Sequence, residues 1–286
     1  MQATRKSFVG RIREQLDQLS PSERRLAEFA LDFPGDLAGY TASELAGLAN
    51  VSNATVTRFV RRMGYASYDD ARKHVRSEKS AGSPLLLAGT ESASGAPGAT
   101  DSGSLGAHLQ QGLANLGATY RRLSEAQLRE IAQAILNARK VWIVGFRSSQ
   151  PLAMYLRWQL LQIVPSAQAV PGAGETMGEH LAGMAEDDMV IVLALRRRVR
   201  ELPSVVAQAA KACPRLLYIT EQGATAKVPA RWVLRCDVQA PGVLDNHAAV
   251  IGLCHLIVTQ VMELAGTPGR RHLGLVEAFH DALDEL

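Results

Sequence analysis

Cysteine is nearly missing from this chain: Cys213, Cys236 and Cys254 are all it has in 286 residues. They are odd in number, widely spaced and set among apolar neighbours, so no disulfide framework and no metal site follow from them. A reducing cytoplasm is the compartment this implies. No run approaches the eighteen or so uncharged apolar residues of a membrane span. The opening stretch MQATRKSFVGRIREQ lacks the apolar core of a secretory signal, and no membrane association is expected. The seven histidines form no ligand pattern, so neither metal nor cofactor is expected. A P-loop, a nucleophile elbow and a G-x-G-x-x-G fingerprint are also lacking. The formal net charge of +3 is too small to announce a nucleic-acid partner.

What is present is a hydrophobic fraction of 47%, enough for a substantial core and two domains. The small charge excess is unevenly placed. Residues 1–80 hold 13 Lys/Arg against 10 Asp/Glu, whereas residues 81–286 hold 18 of each. Within the front part, TASELAGLANVSNATVTRFVRRMGY over residues 41–65 reads as two short helices around a tight turn. Thr41 and Glu44 make a capping box, Asn50-Val51 breaks the pattern, and Ser52 caps the second helix. There Val56, Phe59, Val60 and Met63 fall at i, i+3, i+4 and i+7, one apolar face, and Gly64 ends the helix. Ala54, Thr57, Arg58, Arg61 and Arg62 lie on the other side, a face that fits a DNA major groove. An ordinary amphipathic helix with a solvated basic face is the alternative. Arg72, Lys73 and Arg76 extend the basic cluster toward phosphate contacts.

Around this pair the sequence predicts a helix over 7–18 and another opened by the Ser20-Pro21-Ser22-Glu23 capping box. Phe33-Pro34-Gly35-Asp36 should stop the latter, and a last helix should run from Tyr68 to about Lys79. Residues 80–106, rich in Gly, Ala, Ser, Thr and Pro, read as a flexible linker, with Leu85-Leu86-Leu87 able to dock onto a neighbour. From 107 onward short β-rich runs alternate with helical stretches, with helices at 245–264 and 275–286 closing the chain. That alternation predicts a doubly wound parallel α/β sheet. The expected division is thus 1–79 helical, 80–106 linker and 107–286 α/β.

Ligands in such sheets bind beyond the carboxyl ends of the strands. After the strand 141–145, Arg147, Ser148 and Ser149 suit an anion at a helix N-terminus, unless a serine merely caps that helix. After the strand 189–195, Arg196, Arg197 and Arg198 suit an anion, a partner surface or neither. At the third loop, capping by Asp245 or Asn246 is the expected role. A Glu–His pair such as Glu179-His180 could in principle move protons in an isomerase, but a single adjacent pair makes no acid/base constellation, and no catalytic residue is expected.

LSPSERRLAEFALDFPGDL followed by TASELAGLANVSNATVTRFVRRMGY resembles the N-terminal helix-turn-helix domain of RpiR-type bacterial transcriptional regulators over roughly residues 8–76. Residues 107–264 resemble the SIS (sugar isomerase) domain joined to it in that family. The resemblance implies a cytoplasmic regulator, not an enzyme, that binds operator DNA as a dimer or tetramer and responds to an anionic effector such as a phosphosugar. It places DNA contacts at Ser52, Asn53, Ala54, Thr55, Thr57, Arg58, Arg61 and Arg62, and effector contacts at Ser148 and Ser149. In the first phosphate loop Arg147 stands where the family has a glycine. Ala194–Val199 keeps none of the residues of the second loop, S-x-S-G-x-T. Two alternatives follow: a sugar-phosphate isomerase with an accessory DNA-binding domain, and a regulator whose SIS-like domain only dimerises.

Overall fold

A computed structural model of the chain describes residues 6–32, 36–83, 86, 105–224 and 226–286. The stop expected at Phe33–Gly35 and most of the expected linker lie outside the described residues. The chain divides into two compact units, 1–107 with 241–244, and 108–240 with 245–286.

The first unit is helical: α1 (Phe8–Gln15), α2 (Pro21–Asp32), α3 (Ala42–Leu48), α4 (Asn53–Arg62) and α5 (Tyr68–Ser80), with 3₁₀ turns at Leu16–Gln18 and Asp36–Ala38. The Thr41 and Ser20 capping boxes form. Glu44 N–H donates to Thr41 Oγ1 at 3.2 Å while Thr41 N–H donates to Glu44 Oε2 at 2.7 Å. Ser20 and Glu23 exchange the same pair of bonds. Each satisfies helix N–H groups that would otherwise face only water. Phe8, Ile12, Leu26, Leu45, Val56, Phe59, Val60 and Val75 form one core. Leu86, beyond the end of α5, is buried in that same core, so the helical unit takes in part of the stretch read as linker.

The second unit holds all but the first residues of α6 (Leu105–Tyr120), followed by α7 (Glu125–Leu136). Then β1 (Val141–Gly145), α8 (Ser149–Leu161), β2 (Ala167–Val170), α9 (Met177–Ala182), β3 (Met189–Ala194), α10 (Leu202–Ala212), β4 (Leu216–Glu221) and β5 (Trp232–Cys236) alternate as expected. The sheet is wholly parallel in the order β2-β1-β3-β4-β5. Both faces are covered, which is why β1, β3 and β4 are buried at every position rather than alternately.

The two C-terminal helices expected from sequence are present and meet without a loop at the non-helical backbone of Gly266, at φ 56° and ψ −139°; together they are labelled α11 (Ala248–Leu283). An 18-residue window of α11 reaches a mean hydropathy of 1.8, enough by length and composition for a membrane span; the expectation that no stretch comes near that limit is corrected. Its apolarity has a local cause, because Val250, Leu253, Cys254, Ile257, Val258 and Val261 pack into the core behind the sheet.

Candidate DNA interface and effector site

The reading face of α4 is built from its ends. Ser52 Oγ accepts from Thr55 N–H at 3.2 Å, fixing the first turn. Asn50, at φ 50°, makes the sharp turn from α3. At the other end Gly64, at φ 84°, lets its N–H reach the Arg61 carbonyl while Tyr65 N–H reaches that of Val60, a Schellman closure. Arg11 donates to the Met63 carbonyl at 2.8 Å and lies over the Tyr65 ring, locking this end to α1.

With Val56, Phe59, Val60 and Met63 buried as expected, Asn53, Ala54, Thr57, Arg58 and Arg61 face solvent together. Thr55 and Arg62 do not serve that face freely. Thr55 is 4% exposed and its hydroxyl meets Ser52 Oγ at 3.0 Å. Arg62 donates to the Gln18 carbonyl at 2.6 Å and pairs with Glu23 at 3.7 Å. Arg72 and Arg76 both donate Nε to the Ala38 carbonyl, at 3.3 and 2.9 Å; Arg72 is half-buried, while Lys73 and Arg76 remain exposed.

In the second unit the strand order reverses between β1 and β3, the switch point beside whose carboxyl ends parallel α/β sheets bind ligands. Gly145 closes β1 where α8 comes against it: a Cβ there would sit 2.5 Å from the Ser149 carbonyl and 2.8 Å from Ala153 Cβ. Arg147 follows with φ 53°, exposed, as is Ser148, whose side chain makes no capping bond. Ser149 is buried and its Oγ accepts from Leu195 N–H at 3.4 Å, joining the β1 loop to the β3 loop.

The three arginines of the β3 loop diverge. Arg196 pairs with Asp245, Nε to Oδ2 at 3.0 Å. Arg198 donates to Thr220 Oγ1 at 2.7 Å and Glu221 Oε2 at 2.6 Å, carried on the end of β4. Arg197 is exposed at φ 61°, with no ion pair among the described residues. Arg147 and Arg197 are therefore the open guanidinium groups of the two loops.

Of Asp245 and Asn246, either of which is expected to cap the helix start, Asp245 holds Arg196 while Asn246 Oδ1 takes the Ala248 N–H at 2.9 Å. His247 beside them has a buried Nε2 without a hydrogen-bond partner among the described residues. Burial, with Arg196 nearby, pushes its pKa down and keeps it neutral. The Glu179-His180 pair does not form a dyad. His180 Nε2 lies 2.8 Å from Glu175, while Glu179 accepts from Thr176 Oγ1. Thr220 and Glu221 go unread in the sequence, and Asp245 reads there only as a cap, because nothing local marks a side chain as the partner of a distant arginine.

Residues 7–82 match the model of the helix-turn-helix domain of the rpiR family, and residues 134–230 match that of the SIS domain. The chain is 24% identical over 221 residues to the HTH-type transcriptional regulator HexR of Pseudomonas aeruginosa, covering 76% of this chain and 74% of that one. It is 26% identical over 248 residues, 86% of each chain, to YfhH of Escherichia coli, an uncharacterised HTH-type transcriptional regulator. Among solved structures, the sugar isomerase domain of an RpiR transcription factor from Sphaerobacter thermophilus superposes with a TM-score of 0.55 at 20% identity, covering 60% of this chain and 96% of that one. NanR of Vibrio vulnificus, solved with ManNAc-6P, gives a TM-score of 0.55 at 18% identity over 96% of this chain and 98% of that one.

Proposed function

Since this chain joins an rpiR-family helix-turn-helix domain to a SIS domain, we propose that it is a cytoplasmic operator-binding regulator, active as a homo-oligomer, whose switch-point loops sense an anionic metabolite of the phosphosugar class. Asn53, Ala54, Thr57, Arg58 and Arg61 read base edges, and Lys73 contacts phosphate. The observation that carries the sensing role is the pair of open guanidiniums, Arg147 and Arg197, on the two loops that Ser149 ties together. Fork-shaped donors suit a phosphate or carboxylate. The ligand of NanR, a sugar phosphate by its name, has the same chemistry. Catalysis is disfavoured because Glu221 and Asp245 are each held by an arginine.

Ligand binding and DNA binding must be coupled reciprocally if the reading holds. A sugar phosphate should raise the melting temperature and shift operator affinity together, more than sulfate does at equal ionic strength. Arg147→Ala should abolish both responses while ligand-free DNA binding stays at the parent level. If no sugar phosphate or sugar acid stabilises the parent in a thermal-shift screen, the SIS domain is a scaffold and the sensing role is wrong.

A further inference from the structure

Past the break at Gly266, α11 carries Leu275, Phe279 and Leu283, which are 58%, 64% and 64% exposed. At i, i+4 and i+8 they form one stripe along a helix of about 25 Å. Such a row of large apolar side chains on a helix is a surface waiting for a partner.

The charges on the same segment identify which. Arg270 and Arg271 lie near its N-terminus, and Asp281, Asp284 and Glu285 at its C-terminus. Both groups are placed against the helix dipole, which favours acids at the start and bases at the end. A single tail is thus electrostatically mismatched with itself. Laid antiparallel on an identical tail, each basic end meets the acidic end of its neighbour, and the two dipoles oppose. A two-fold axis near residues 277–278 brings the end carrying Arg270 and Arg271 against the end carrying Asp284 and Glu285; at about 100° per residue Arg271 flanks the apolar stripe, whereas Arg270 lies on the far side of the helix.

We propose that the post-Gly266 segment of α11 is a self-complementary interface that pairs antiparallel with the same segment of a second copy. The proposal rests on the homo-oligomer reading above and names the surface that makes it. The partner is a second copy of this chain, because the charge pattern complements its own reverse.

Two full-length variants test it. R270E/R271E makes both ends of the tail acidic, and D284K/E285K makes both ends basic. By sedimentation, each alone should lose one level of association relative to the parent, and an equimolar mixture should regain it as mixed oligomers. Ala278→Cys should also cross-link two chains under oxidation near the axis, since the native cysteines are buried. An oligomeric parent whose two variants associate as it does, mixed or separate, overturns the tail interface and leaves the homo-oligomer reading standing. A parent that sediments as a monomer overturns both. A tail that instead captures an unrelated partner or a lipid vesicle, while the charge variants pair normally, also overturns it.

Discussion

Two arginines four residues apart on α4 have different work to do. Arg58 faces solvent and donates to Thr55 Oγ1 at 3.4 Å. Its loss should weaken specific operator binding by about 1–3 kcal/mol if it contacts a base, read by gel shift against scrambled sequence. Arg62→Ala removes a bond to the Gln18 carbonyl and the pairing with Glu23. It should cost about 1 kcal/mol of stability and lower affinity on all sequences alike. Asp188, with no exposure, accepts from Trp142 Nε1 at 2.8 Å, Arg139 Nε at 2.9 Å and Ala185 N–H at 2.9 Å. Burial works to raise its pKa, but these bonds and the Arg139 charge outweigh it and the net shift is downward. A lowered carboxylate contributes stability above its unfolded pKa of about 3.9 and loses it as pH falls through the folded value. Asp188→Asn should therefore destabilise by about 2–4 kcal/mol at pH 7, and denaturant melts of parent and variant should converge below about pH 4. These roles escape sequence reading for a physical reason. Arg196 and Asp245 are 49 positions apart, Arg198 and Glu221 are 23 apart, and only the sheet order brings them together.

Elements were far more legible, because each helix end carries its own chemistry. The Thr41 and Ser20 boxes, the Ser52 cap and the Gly64 stop lie where residue type and spacing put them. The stretch 245–264 and the tail read as two helices because the Gly266-Thr267-Pro268 interruption is real. The backbone resumes helical geometry at once, so the two run together. At the sheet, Gly145 is fixed by packing of the first turn of α8 rather than by its own backbone freedom. Gly145→Ala should push α8 away, costing about 1–3 kcal/mol, and pull Ser149 off the Leu195 N–H. The expected outcome is a lower melting temperature together with a blunted effector response. A normal response in a destabilised protein would mean that the bridge between the loops carries no signal.

On the scale of the whole molecule, the change from helical to strand-and-helix periodicity marks a change of architecture along the chain, but it could not give the strand order. Hydrophobic pattern tells a strand that it is buried, not which neighbours it has. Residues 105–286 expressed alone should fold and self-associate, since α6 begins at Leu105; sedimentation of that fragment checks it. The distribution of sulfur then offers a clock. Cys213, Cys236 and Cys254 all belong to the second unit, are fully buried, and burial pushes the thiols of Cys236 and Cys254 up to about 12. A thiol-reactive dye can reach them only in molecules that have transiently opened. Where reclosing outruns labelling, the rate of colour development reports the opening equilibrium of the α/β unit. The helical unit adds no signal, because it has no cysteine. An effector that tightens the sheet would slow this labelling, whereas operator DNA held by the helical unit alone would leave it unchanged. The unmodified chain can thus tell, without any engineered probe, whether the two ends of the molecule communicate.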